Sequence, residues 1–423
     1  MNKDSSVAYR ARIIHSTGPS AVTDVADGML VVDGSGRIVS CGPFDASFGG
    51  KITDMRGRLI IPGLVDVHSH IPQLDVRGKH GSTLLSWLDR YIFPAERSFA
   101  NPKVVEDVAT RFFKKLILNG TTTAGLYATV HADATDRCFE IARAAGVRCF
   151  IGKVMMDQHS PEGLIESTAD SLAKSEALCA KWHGAEGGRL MYAYTPRFAP
   201  TCSLKLLEEA GKLARGSGAY LQSHIAETRD ENARVRELYP QFKDYVDLFE
   251  RTGCLGEKSI LAHAIYLSDD EFKRLASSGT KVAHCPTSNF FLKSGWMPVS
   301  KVESARVVYG LGTDVGAGTS MSMFTEMRHA DYMQLEMEMT PAKVFYLATL
   351  GGARVLSQGR ETGNLEKGKS ADFCVVDIAG IDPNYRLSEL DTDEVLSLLM
   401  YRGSGGAIES THVGGKKLDV DFA

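Results

Sequence analysis

The sequence predicts an α/β fold: a (β/α)8 TIM-like barrel carrying a small composite β-sandwich domain formed by both termini. Three observations carry this. Eight apolar, strand-like runs recur at residues 59–67, 121–128, 148–155, 190–195, 220–223, 259–262, 281–283 and 307–312. Most are separated by stretches with apolar residues three and four apart, as at 104–118 and 170–182, which is helical spacing. Strand-like pieces also stand at both ends of the chain, outside that alternation.

At the N-terminal end, 29–32 and 37–40 flank Asp33-Gly34-Ser35-Gly36, a hairpin signal. At the other end come 371–377, then 409–412 and the turn Gly414-Gly415. Neither end is long enough to hold a sheet alone. The two are therefore expected to pair into one domain, residues 1–61 plus 365–423, with residues 62–364 forming the barrel. The rival architecture is an open doubly wound sheet, but no G-x-G-x-x-G follows the first strand.

Composition narrows the class. Of 423 residues, 43% are hydrophobic and 24% charged, enough apolar material for a large core. The net charge of −4 argues against a nucleic-acid partner, because phosphate contacts need concentrated Lys and Arg. The longest apolar runs are far short of a membrane span, and residues 1–6 lack the apolar segment of a signal peptide. Eight cysteines are scattered singly with no C-x-x-C, the pattern of reduced thiols in a cytoplasmic protein.

The polar residues gather where such barrels place their sites, at the C-terminal ends of strands. The first strand ends in Asp66-Val67-His68-Ser69-His70, and residues two apart on a strand share a face. The fifth ends in His224-Ile225-Ala226-Glu227; the sixth carries His263, the seventh His284 and the eighth Thr313-Asp314. Three imidazoles with a carboxylate suit Zn2+, with Fe2+ and Mn2+ as rivals. A strand-end histidine taken alone is most often a hydrogen-bonded structural residue, and His284 by itself gets that reading. Paired imidazoles in His-x-His have few structural uses.

These segments resemble the amidohydrolase superfamily. The residues that carry the resemblance are Pro62 to His70, His224, His263, Gly312-Thr313-Asp314, and 363–373, where the chain re-enters the β domain. Within it, Leu84 to Leu88, Tyr91 to Glu96, Thr195-Pro196-Arg197-Phe198, Ser223 to Glu227, His284 to Asn289 and Gly312 to Ser320 are similar to the guanine deaminase family, in the ATZ/TRZ-like branch. The resemblance implies His68, His70, His224 and Asp314 as metal ligands, with His263 positioning the attacking water. The fourth strand, 190–195, has no lysine of the kind that bridges two metals, so one metal per subunit is expected. Lys153 lies mid-strand and reads as structural or surface-reaching. The His-x-Glu with Pro-Cys-x-x-Cys pattern of the other zinc deaminases is missing.

The activity implied is hydrolytic deamination of guanine to xanthine and ammonia. Asp314 is expected to help ionise the water, His263 to orient it, and Glu227 to protonate a ring nitrogen and pass the proton to the leaving amine. Arg197 is the donor for the O6 carbonyl, Gln73 pairs with another ring edge, and Phe198 and Trp87 form apolar walls. Arg229, Asp230 and Glu231 read as a solvated charged loop. The alternatives are a deaminase or hydrolase of another aminopurine, a pterin or an s-triazine, and a non-catalytic protein on the same barrel. A homodimer is implied by the resemblance.

Overall fold

The computed structural model describes residues 6–81 and 84–422; Met1 to Ser5, most of the N-terminal stretch 1–6 read above, lie outside them, as do Ser82, Thr83 and Ala423. The chain opens with four strands, β1 (Val7–Gly18), β2 (Ala21–Val32), β3 (Ile38–Pro43) and β4 (Lys51–Pro62). The hairpin expected at Asp33–Gly36 joins β2 to β3, and Asp33 Oδ1 accepts from the backbone N–H groups of Ser35 and Arg37 to close the turn.

The apolar run 59–67 is not one strand. It divides at Gly63, whose N–H donates to the carbonyl of Asp372 at 2.9 Å while Leu64 N donates to Gly120. A Cβ at Gly63 would overlap the Thr122 side chain. Residues on one side of the break join the terminal sheet and those on the other enter the barrel. Both stretches are buried on both faces, so a single unbroken apolar run serves two sheets.

The barrel strands follow: β5 (Leu64–His70), β6 (Thr121–Tyr127), β7 (Arg148–Gly152), β9 (Leu190–Pro196), β10 (Tyr220–Ile225), β11 (Ser259–His263), β12 (Lys281–His284) and β13 (Tyr309–Leu311), each parallel to its neighbours. A short extra strand, β8 (Val154–Met155), pairs with β9 off the main path, because the predicted strand 148–155 breaks at Lys153. The first and last barrel strands meet where Asp314 N donates to the His68 carbonyl at 2.8 Å. Gly312 makes that approach possible, since a Cβ there would lie 2.9 Å from His68 Cβ.

One core fills the barrel, with Val65, Val67, Phe150, Ala193, Ile260, Ala262 and Ala283 from five of its strands. A larger one lies between the strands and the outer helices. The helices start where local chemistry says they should. Asn101 accepts from Lys103 N with Pro102 at the first position of Pro102–Leu118, and Ser167 caps Thr168–Trp182.

The chain ends in β14 (Phe373–Val376), β15 (Ile408–Val413) and β16 (Lys416–Lys417). β14 pairs with β4 on one side and β15 on the other, so strands from both termini share one seven-stranded sheet. Among the described residues no helix is long and apolar enough to cross a membrane. All eight cysteines are free, seven of them buried.

Candidate active site

The ends of β5, β10, β11 and the segment after β13 converge on one point. Nε2 of His68 and Nε2 of His70 lie 3.2 and 3.1 Å from Oδ1 of Asp314, and Nε2 of His224 is 3.3 Å from Nε2 of His70. One donor atom from each of these four buried residues falls within 4.8 Å of all the others. Nδ1 of His224 faces the Arg197 carbonyl at 2.7 Å, which assigns the ring proton to Nδ1 and leaves the Nε2 lone pair free to face the centre. Nε2 of His68 is buried without a hydrogen-bond partner among the described residues. Lone pairs gathered so closely, one of them orphaned, fit a cation held between three nitrogens and a carboxylate oxygen.

The electrostatics agree. Burial pushes His68 down to about 4 and holds His224 well below the usual imidazole range, so both rings stay neutral and able to ligate. Burial alone would raise Asp314, but the imidazoles of His68 and His70 close beside it more than reverse this and hold the carboxyl well below its ordinary value.

Two further predicted residues stand beside this cluster. Nε2 of His263 is 3.6 Å from Oε2 of Glu227 and 3.9 Å from Oδ2 of Asp314, while its Nδ1 meets Oδ1 of Asn289 at 2.9 Å. Burial is the largest influence on His263 and lowers it, yet Glu227, Asp314 and Asn289 together leave it raised. Glu227 also accepts from Ser294 Oγ at 2.9 Å. The backbone brings these groups together at a cost. Ala226, His263 and Asp314 all take positive φ, at 51°, 77° and 44°, and each such residue costs on the order of 1–3 kcal/mol. The loops are tied where they meet, with Ile265 N and Tyr266 N both donating to the Ala226 carbonyl at 3.1 Å.

The predicted substrate contacts are distributed unevenly. Arg197 and Gln73 come together, joined through Glu96, which is fully buried. Trp87 is buried with its Nε1 donating to the Lys79 carbonyl, and it packs with Val76, Leu88, Ile92 and Ala317 in a separate apolar cluster. Phe198 is half-buried, and among the described residues no ring contact joins it to Trp87.

Several participants were missed from sequence. Tyr127, at the end of β6, packs its ring 4.8, 4.6 and 4.9 Å from those of His68, His70 and His224. Its position at a strand end was the available signal. Asp66 accepts from His68 N and Thr313 N and from Thr313 Oγ1, binding the first and last strand ends together; burial lifts it to about 7.

Glu231, read as part of a solvated loop, is buried instead. It accepts from Glu227 N at 2.8 Å and sits at the N-terminus of Arg229–Leu238, where Thr228 accepts from its own N–H. Lys153 does not reach the surface; it is wholly buried against Glu166, with Ser171 Oγ at 3.3 Å. His284 does not fit the hydrogen-bonded reading either, since both of its ring nitrogens are buried without partners among the described residues.

Known proteins share this arrangement of chain. The amidohydrolase family model matches residues 59–418. The guanine deaminase of Escherichia coli K12 is 36% identical over 415 residues, 94% of this chain and 92% of that protein. The human guanine deaminase is 34% identical over 438 residues, 97% of this chain and 96% of its own length. The crystal structure of guanine deaminase from C. acetobutylicum with bound guanine in its active site superposes with a TM-score of 0.93 at 30% identity, covering 98% of this chain and 100% of that one.

Proposed function

This chain belongs to the amidohydrolase family, and from that premise we propose that it hydrolyses guanine to xanthine and ammonia through His68, His70, His224, Asp314, His263 and Glu227. Water adds at C2 of the ring, the C2–amine bond breaks, and ammonia leaves as C2 becomes a carbonyl. The observation that carries this reading is the convergence of the Glu227 and Asp314 carboxylates on Nε2 of His263, at 3.6 and 3.9 Å, beside four convergent ligand atoms.

Zn2+, when bound by His68, His70, His224 and Asp314, supplies the Lewis acidity that brings the pKa of a water to about 7. His263 would hold the attacking water by hydrogen bonding, and Asp314 would accept one of its protons. Glu227, buried and oriented by Ser294, passes on the two protons of the water, one to a ring nitrogen and one to the departing amine. Arg197 offers donors to the O6 carbonyl, Gln73 meets a neighbouring ring edge, and Trp87 and Phe198 supply apolar surface. Zinc as the single metal, a homodimer as the assembly and the cytoplasm as the compartment belong to the same reading. So does the division into a barrel of residues 62–364 and a supporting domain of residues 1–61 plus 365–423. The test is ammonia release from guanine, adenine, cytosine and a pterin by the purified protein; release from guanine supports the reading, and release only from another ring overturns the substrate.

A further inference from the structure

We infer that Glu96 sets the hydrogen-bonding polarity of the substrate pocket: it is a positioning residue that makes Gln73 an acceptor and Arg197 a donor toward the ring, matching an N–H beside a C=O. The inference rests on the guanine reading above and deepens it.

Glu96 lies in the short helix Phe93–Ser98, distant in sequence from both partners, and is fully buried. Its Oε1 accepts from Nε2 of Gln73 at 2.9 Å and from Nη1 of Arg197 at 2.7 Å, and its Oε2 accepts from the same Nη1 at 2.6 Å. Thr129 Oγ1 donates to the Glu96 carbonyl at 3.1 Å, fixing the backbone from which the carboxylate projects.

A carboxylate paired with a guanidinium only accepts, so the amide of Gln73 must turn its NH2 toward it. That leaves Oε1 of Gln73 on the opposite side, where Gly316 N is its donor at 3.4 Å, two residues beyond Asp314. Gln73 Oε1 thus faces the segment that follows Asp314 and keeps a second lone pair for a ring N–H. Arg197 uses one nitrogen on Glu96, and among the described residues its Nε and Nη2 find no acceptor.

Guanine presents N1–H next to C6=O, a donor beside an acceptor. That edge is the complement of Gln73 Oε1 and the free Arg197 N–H groups. A ring with an N1 lone pair and a bare C6–H, as in 2-aminopurine, would set acceptor against acceptor and leave the Arg197 donors unpaired. Discrimination of this kind comes from unpaired buried groups in the wrong complex.

Glu96→Gln tests this. The new amide turns its NH2 toward Gln73, which must then rotate and face its own NH2 to the ring. The quantity to measure on metal-loaded enzyme is the ratio of the 2-aminopurine Ki to the guanine KM. The expected result is a fall of at least tenfold in that ratio with metal content unchanged. A structural role alone would weaken both ligands together and leave the ratio where it was, and that result would overturn the inference. The paired exchange Glu96→Gln with Gln73→Glu returns an acceptor to position 73 and a counter-charge to the site. It is expected to restore the ratio to within a few-fold of wild type, and if only this variant folds, a collapsed ratio in it overturns the inference. Failure of the wild-type protein to deaminate guanine would instead overturn the substrate reading.

Discussion

The backbone carbonyl of Arg197 lies 2.7 Å from Nδ1 of His224, so the residue whose side chain is proposed to address the substrate orients the His224 imidazole with its main chain. The two roles separate on mutation. Arg197→Ala keeps the carbonyl and hence the His224 ring orientation. We expect metal content to stay at the wild-type level while kcat/KM for guanine falls about 100-fold or more, as a site built around a substrate carbonyl loses its donor. The same variant strands Glu96, fully buried, without its counter-charge. Loss of a buried partner costs about 3–5 kcal/mol, so the melting temperature should also fall. Unchanged guanine turnover would remove Arg197 from the pocket.

Glu227 is held by Ser294 on one side and lies 3.6 Å from His263 on the other. A positioned proton carrier contributes about 100- to 10,000-fold. Glu227→Ala should lower kcat by that range with metal still bound, measured by ammonia release alongside metal analysis. Persistent activity would show that another group moves the proton.

Glu231 gives a pH signature. Burial, the larger cause, and the neighbouring Glu227 lift its carboxyl from 4.5 to about 7. A raised carboxyl contributes stability that is full below pH 4.5 and is lost as pH rises through about 7. A shift of that size corresponds to about 3 kcal/mol. Glu231→Gln keeps an acceptor for Glu227 N but has no charge to bury. Its melting temperature relative to wild type should therefore climb between pH 5 and pH 9. A difference that stays flat over that interval would place Glu231 in contact with water.

Much of this was legible in the residues because the chemistry is local. His68 and His70 share one strand end, Glu227 follows His224 by three, and Asp314 lies just past the eighth strand, so placement at strand ends together with the family resemblance grouped them. The terminal strands were legible for the same reason, their hairpin at Asp33–Gly36 being a local turn. What escaped depends on distant partners. Glu96 and Arg197 are 101 residues apart, and nothing near either one announces the pair. Glu231 sits in a charged stretch whose composition says solvent, yet the first turn of the helix that Thr228 caps turns it inward beneath Glu227. The run 59–67 is uniformly apolar, and only the contacts of Gly63 reveal that two sheets share it.

Lys153 bears on the number of metals. It is buried against Glu166, which also binds Lys174 at 2.8 Å. Lys153→Met should leave one metal per chain. It should cost less than the ~3–5 kcal/mol of a fully stranded buried charge, since Glu166 keeps its second partner. Metal analysis and thermal melting of the variant check both points, and a drop in metal stoichiometry would make Lys153 a ligand.

The most direct measurement is the conversion of guanine by purified protein carrying a known amount of zinc, with xanthine and ammonia both quantified. The expected result is one xanthine and one ammonia per guanine consumed, at about one zinc per chain, abolished by chelation and restored by added zinc. Zinc-loaded protein that binds its metal through His68, His70, His224 and Asp314 and yet leaves guanine untouched would contradict the account.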